Sequence, residues 1–157
     1  MDNRLPLDPS PDRSAKELQK EYEHAMARVK SSAFVRRFAI ASCCLAGIHF
    51  LLETAYTVQY GQALLGLLPD YLADLLLIWG SVVALKDHKA TGVLCGAWGF
   101  TLCLHYRAWA WRFQSVMDGT ANAVDQGTMV VLASTMAVSA LCFLLTLLMA
   151  LPDKPQA

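Results

Sequence analysis

Residues 127–151 read GTMVVLASTMAVSALCFLLTLLMAL, a run of 25 residues without a charged side chain. A helix needs about 20 mostly apolar residues to cross the hydrocarbon core of a bilayer. A helix at the surface of a soluble bundle would carry a charged face, and this run has none. Because lipid offers no partner for backbone N–H and C=O groups, the run predicts a transmembrane helix.

Three further apolar runs precede it, at residues 38–57, 69–85 and 91–111. The whole chain has 157 residues, 55% of them hydrophobic, and a mean hydropathy of +0.37, which exceeds the range of ordinary soluble domains. The connections between the runs are short, so neighbouring helices should be antiparallel. The fold class predicted is therefore all-α, an integral membrane four-helix bundle occupying residues 34–151.

The segment before the first run divides into two parts. Residues 1–13 are rich in proline and polar side chains, which is typical of a disordered tail. Residues 14–33 place Leu18, Tyr22 and Met26 on one side and charged residues on the other, which predicts an amphipathic cytoplasmic helix on the membrane surface. Residues 152–157 form a short polar tail.

The distribution of lysine and arginine predicts the orientation. Eight of these residues precede the first run, and Lys86, Lys89 and Lys154 lie at the same end of the bundle, whereas Arg107 and Arg112 lie toward the other end. The positive-inside rule then puts both termini in the cytoplasm, and we expect a multi-pass protein of a bacterial inner membrane. The formal net charge of zero gives no indication of a nucleic-acid partner.

Ionisable residues gather in the outer half of these predicted spans. At a rise of 1.5 Å per residue, His49 lies about 16 Å and Glu53 about 22 Å above residue 38, and His105 lies about 21 Å above residue 91. Asp70 and Asp74 lie one turn apart on the second span, which runs in the opposite direction. Such groups are costly in lipid and face the bundle interior, so we expect His49, Glu53, Asp74 and His105 to meet, with Asp70 at the rim.

Several chemistries suit this cluster. Two imidazoles with carboxylates predict a site for a divalent transition metal on His49, Glu53, Asp74 and His105, with Asp70 as a weaker ligand. His49 and His105 could instead be the axial ligands of a b-type haem. A third hypothesis is a membrane enzyme in which His49 and Glu53 exchange protons with a lipidic substrate. The remaining alternative is that the polar pairs only hold helices together.

One local pattern also resembles a known family. Ile48-His49-x-x-x-Glu53, followed by an aromatic residue, resembles over about nine residues the histidine–glutamate motif of the emopamil-binding-protein family, which includes membrane sterol isomerases. The resemblance implies a pair inside one helix that acts on a carbocation in a lipid-facing pocket.

The sequence contains no nucleophile motif, phosphate-binding glycine loop or nucleotide site. We therefore interpret the protein as a small accessory or ligand-binding subunit whose outer cavity binds a cation or a polar head group. Small residues on the third and fourth spans could also let another membrane protein approach closely. These residues are Gly92, Gly96, Gly99 and Cys103, and Thr128, Thr135, Ser139, Cys142 and Thr146.

Overall fold

The computed structural model describes residues 11–61 and 64–152, and within these ranges every regular element is an α-helix. The helices are α1 (Pro11–Val29), α2 (Ser32–Tyr60), α3 (Leu64–Lys86), α4 (Gly92–Met117) and α5 (Ala123–Ala150). The predicted all-α class is confirmed.

Helices α2 to α5 pack in chain order, each against the next, with the most extensive contact between α4 and α5. Short connections make successive helices antiparallel. Helices α2 and α5 do not form a comparable contact with each other, which leaves a gap between the first and the last of the four. The stronger contacts of helix α1 are with α2 and α5.

The distribution of side chains is the reverse of that in a soluble bundle. Small and weakly polar residues fill much of the interior, for example Ala39, Ser42 and Ala46, all at most 1% exposed. Large apolar residues point outward, including Val58 at 82% and Leu51 at 67%. Soluble monomers rarely expose such continuous apolar surface, so this exterior suits contact with lipid.

Three helices are long and apolar enough to cross a membrane, judged by length and composition: Ser32–Gln59, Leu65–Lys86 and Gln126–Ala150. They match the first, second and fourth predicted runs and support a membrane location. Among the described residues, α4 does not meet the same standard. It carries Arg107, Arg112 and His105, which lower its mean hydropathy although it has 26 residues.

Several helix boundaries in the structure differ from the predicted ones. Helix α1 begins at Pro11, inside the predicted tail, and ends at Val29 because Ser31 caps the next helix by accepting a hydrogen bond from the Phe34 amide at 3.3 Å. Helix α3 begins at Leu64, so that Pro69 lies inside it and not in its first turn. The apolar residues before the proline continue the helix. Residues 1–10 and 153–157, which make up most of the predicted tails, lie outside the described residues.

Glycines set how closely α4 approaches its neighbours. A Cβ atom on Gly80 would lie 2.7 Å from the Leu94 Cα, and one on Gly99 would lie 3.1 Å from the Phe143 ring. The predicted small-residue faces are therefore used partly within the chain, where Ser139, Cys142 and Thr146 are also buried. Gly92 and Gly96 remain exposed, and a protein partner at this surface stays a prediction.

Candidate functional site

A cavity of about 290 Å³ lies among α2, α3, α4 and α5. Its rim is formed by exposed side chains of the two helices that do not pack on each other, such as Ile48 and Leu52 from α2 and Val138 from α5. Its inner wall comes from buried residues of α3 and α4, such as Leu77 and Trp98. The cavity is therefore open at the side of the bundle and closed at the back.

A histidine–aspartate pair forms one part of the inner wall. The His49 Nδ1 lies 3.0 Å from one Asp74 carboxylate oxygen and 3.3 Å from the other. An ionised carboxylate only accepts hydrogen bonds, so the Nδ1–H donates. Asp74 is 2% exposed, whereas the His49 side chain keeps 28% exposure toward the cavity. The bond joins α2 to α3 and fixes the orientation of the imidazole ring.

A second histidine is held in a similar manner. The His105 Nδ1 lies 2.9 Å from the Ser139 hydroxyl oxygen, which joins α4 to α5. The His49 and His105 rings lie edge to face, with 5.8 Å between their centroids and an interplanar angle of 67°. One polar side chain from each of the four helices thus contributes to a continuous group, which we name the four-helix polar cluster: His49, Asp74, His105 and Ser139.

Other hydroxyl groups around the cavity have partners of their own. The Trp98 indole N–H donates to the Ser42 hydroxyl at 3.1 Å and joins α4 to α2 below the cluster. The Thr101 hydroxyl donates to the Ala97 carbonyl of its own helix at 2.9 Å. These bonds satisfy polar atoms that would otherwise be costly in the bundle interior. Apart from the four-helix polar cluster, the lining is mostly apolar.

The two remaining predicted residues lie outside the cavity lining. Glu53 is one turn above His49, and its carboxylate oxygen lies 4.0 Å from the His49 Nε2, too far for a hydrogen bond. Asp70 is half-buried one turn before Asp74. Near them the Thr54 and Tyr71 hydroxyl oxygens lie 3.0 Å apart, linking α2 and α3. The structure therefore unites three of the five predicted residues and leaves two at the margin.

This arrangement does not favour a metal or a haem. Within residues 11–61 and 64–152, no group of three or more His, Cys, Asp or Glu side chains is placed to hold a metal ion. The histidine rings are already in direct contact, so a porphyrin would have to separate them. The metal assignment to His49, Glu53, Asp74 and His105, with Asp70, stays a prediction without geometric support.

The sequence alone indicates only a packing role for Ser139. The signal that could have identified it was its place in the stripe of small and weakly polar residues on the last span. A serine side chain on such a stripe is small enough to let a facing helix approach closely. Its hydroxyl group can still form a hydrogen bond to that helix. Which residue it faces depends on the rotation of the two helices, which spacing along one chain does not give.

A comparison of the chain with known protein families, characterised proteins and solved structures finds no match. The resemblance to the emopamil-binding-protein motif remains confined to its nine residues. In the structure the partner that hydrogen-bonds His49 is Asp74 from another helix, and Glu53 is the more distant neighbour.

Proposed function

We propose that this protein is a non-enzymatic, multi-pass membrane protein that binds the polar head group of a lipid-soluble molecule in the cavity between α2 and α5. One observation carries the proposal. The four-helix polar cluster lies in the wall of a mostly apolar cavity that is open at its side. A molecule dissolved in the bilayer could enter between α2 and α5 without passing through water.

The size of the cavity defines what part of a ligand it can hold. Sites that enclose a whole small molecule measure about 300–1,000 Å³. A cavity of about 290 Å³ is at the lower limit, so it suits a head group whose hydrocarbon tail remains among the lipids. The apolar rim residues Ile48, Leu52 and Val138 would contact the first carbons of that tail.

The histidines define the chemistry of the head group. Each ring uses its Nδ1 in a bond between helices, so its Nε2 is the second atom able to donate or accept. In a neutral His49 the proton is on Nδ1, so its Nε2 can only accept, for example from a hydroxyl group. The His105 Nε2 can donate to a carbonyl when the Ser139 hydroxyl donates to Nδ1. We therefore propose a ligand with a carbonyl, hydroxyl or carboxyl head group. The apolar remainder of the lining argues against a free cation, the other ligand considered from the sequence.

The proposal includes α4 as a fourth membrane span. With 26 residues α4 is about 39 Å long, enough for a hydrocarbon core of about 30 Å. It packs between α3 and α5, which are both apolar enough to span. Its Trp98, Thr101 and His105 face the interior, and Arg107 and Arg112 lie toward its C-terminal end, so a lower hydropathy is compatible with a spanning helix. We further propose an inner-membrane location with both termini in the cytoplasm, from the lysine and arginine distribution.

Cysteine labelling tests the fourth span. His88→Cys and Thr120→Cys lie in the connections at the two ends of α4 and are both exposed. In a background without the five native cysteines, an impermeant maleimide should label Thr120→Cys in intact cells and His88→Cys only after the membrane is opened. Labelling of both positions from one side would mean that α4 does not cross.

A tryptophan at the cavity rim tests the ligand site. Val138→Trp should fill the opening and lower the amount of co-purifying ligand by about tenfold, equivalent to ~1.4 kcal/mol of binding. Leu141→Trp is the matched control, because Leu141 is 59% exposed on the same helix but does not line the cavity. The measurement is mass spectrometry of lipid extracts from wild-type and variant proteins purified in the same detergent.

Three results of this experiment would contradict the proposal. Equal ligand content in both variants would remove the cavity as the site. A stoichiometric metal that disappears in the His49→Ala/His105→Ala variant would restore the metal hypothesis. Recovery of two interconverting forms of one lipid, in a ratio that depends on His49, would favour an enzyme instead.

That enzyme is the second candidate function, and the His49–Asp74 bond is the observation that favours it. A carboxylate that holds an imidazole Nδ1–H fixes the tautomer and orients Nε2 for proton transfer. In this alternative His49 would be the acid–base group toward a lipidic substrate. Glu53, at 4.0 Å from Nε2, could exchange the proton only after a small movement.

A further inference from the structure

A second cavity, of about 220 Å³, lies at the opposite end of the bundle from Glu53 and Asp70. Three parts of the chain meet there: the α1–α2 connection, the α3–α4 turn and the end of α5. Its buried wall contains Val35 and Met149, which are 1% and 6% exposed. Three basic side chains complete the lining, namely Lys30, His88 and Lys89. We name this site the basic end cavity.

One hydrogen bond positions a charged group of this cavity, and another stabilises the turn that carries Lys89. The Lys30 ammonium donates to the Leu151 carbonyl at 2.7 Å, which holds the charge at the end of α5. The nearby Asp87 carboxylate accepts the Lys89 backbone N–H at 3.0 Å and does not line the cavity. Arg36 and Arg37, both exposed in the second turn of α2, add positive charge beside it.

The location of the cavity limits the possible ligands. It lies at the ends of α2, α3 and α5, the three helices that are long and apolar enough to span, so it would lie at the level of the lipid head groups. Its volume is about seven times the ~30 Å³ that one water molecule occupies in the liquid, which is enough for a phosphate group. Basic pockets at the ends of spanning helices suit phosphate because lysine donates charge-assisted hydrogen bonds to it.

We propose that the basic end cavity binds a phosphate group, through Lys30, His88 and Lys89. The group could belong to an anionic phospholipid of the surrounding bilayer or to a soluble phosphate-bearing molecule. The site is separate from the cavity between α2 and α5, and neither proposal depends on the other.

The test uses the full chain purified in detergent and two probes. Native mass spectrometry measures how much phosphatidylglycerol the protein retains relative to phosphatidylcholine. Equilibrium dialysis measures binding of radiolabelled inorganic phosphate. The wild type should retain phosphatidylglycerol, and Lys89→Gln should lower that retention about fivefold, the effect expected for one lysine near a charged surface. His88→Gln serves as a second variant, since it leaves every lysine in place.

Lys86→Gln is the matched control. It removes the same charge three residues earlier, from an exposed side chain that does not line the cavity, and should change retention less than twofold. Preference for phosphatidylglycerol would support a lipid source. Phosphate binding that is weakened by Lys89→Gln, without preference for either lipid, would support a soluble one. Equal losses in Lys86→Gln and Lys89→Gln, or no binding of either probe, would overturn the proposal.

Discussion

Replacing Asp74 with alanine should both destabilise the bundle and release the ligand from the cavity. The substitution removes the acceptor of the His49 Nδ1–H and leaves a donor without its partner in the bundle interior. An ordinary hydrogen bond between membrane helices contributes about 0.6 kcal/mol on average. An unsatisfied buried donor costs more, about 1–3 kcal/mol. Because His49 keeps partial exposure toward the cavity, we expect the free energy of unfolding to fall by about 1–2 kcal/mol.

The effect on binding should be similar in size to the effect on stability. Asp74 fixes the His49 ring, and a ring free to rotate no longer holds Nε2 toward a head group. We expect the co-purifying ligand to fall by about tenfold, equivalent to ~1.4 kcal/mol, since one net hydrogen bond contributes about 0.5–1.5 kcal/mol. The measurements are thermal unfolding in detergent and mass spectrometry of bound lipid, made on the same preparations.

Two further variants distinguish a role in the cavity from a general loss of charge. Asp70→Ala removes a carboxylate one turn earlier on α3, outside the cavity lining, and should leave ligand content within about twofold. Asp74→Asn keeps the size of the side chain and an oxygen acceptor, so it should recover most of the stability. Wild-type stability and ligand content in Asp74→Ala would contradict the role given to the His49–Asp74 pair.

The heights of these residues were predictable from the sequence. Helix rise is fixed, and short turns bring successive helices back to a known level, so His49, Asp74 and His105 could be expected at one depth. Their rotation was not predictable. Spacing along α2 suggested Glu53 as the neighbour of His49, but a side chain on a facing helix came closer, at 3.0 Å. Ser139 was missed for the same reason.

The ability of the helices to span a membrane was also only partly predictable from the sequence. Three runs contain few charged residues and have a high mean hydropathy, so hydropathy alone identifies them. Helix α4 contributes polar side chains to the interior and has two arginines toward one end, which lowers the same measure. The predicted helix boundaries differ from those in the structure where the positional preference of one residue competes with a longer run of apolar residues. Pro69 is common at the start of helices, but the apolar residues before it extend α3 back to Leu64.

Replacing Gly80 with alanine should have the largest effect on the fold. The new Cβ would lie 2.7 Å from the Leu94 Cα and 2.9 Å from the Leu94 backbone nitrogen. Both belong to the first turn of α4, so no side-chain rotation can relieve the contact. The helices α3 and α4 must move apart, and overpacking of this kind costs about 1–3 kcal/mol or more. We expect the value to be at the upper limit, measured as a lower unfolding midpoint in detergent and a lower yield of folded protein.

Two glycines on α4, the helix that Gly80 of α3 approaches, make this result specific. Gly96→Ala introduces a Cβ that meets nothing within 4 Å, so it should leave stability unchanged or raise it by about 0.5–1 kcal/mol through helix propensity. Gly99→Ala should be intermediate, because its Cβ approaches only the Phe143 ring, at 3.1 Å, and a ring can shift. The loss of stability should therefore decrease in the order Gly80, Gly99, Gly96, because the order depends on which atom the new Cβ meets. Helix propensity alone would change the free energy of unfolding in the same direction for all three substitutions.

The same substitution also connects the packing to the site. Leu94 lies one turn before Trp98, whose indole N–H bonds to Ser42 and which lines the cavity. A displacement of the first turn of α4 should weaken that bond and change the distance between α4 and α2 below the histidines. Gly80→Ala should consequently lose ligand along with stability, although Gly80 does not line the cavity. A Gly80→Ala protein as stable as Gly96→Ala would mean that α3 and α4 do not approach as closely as described, and the alignment of Asp74 with His49 and His105 would lose its basis.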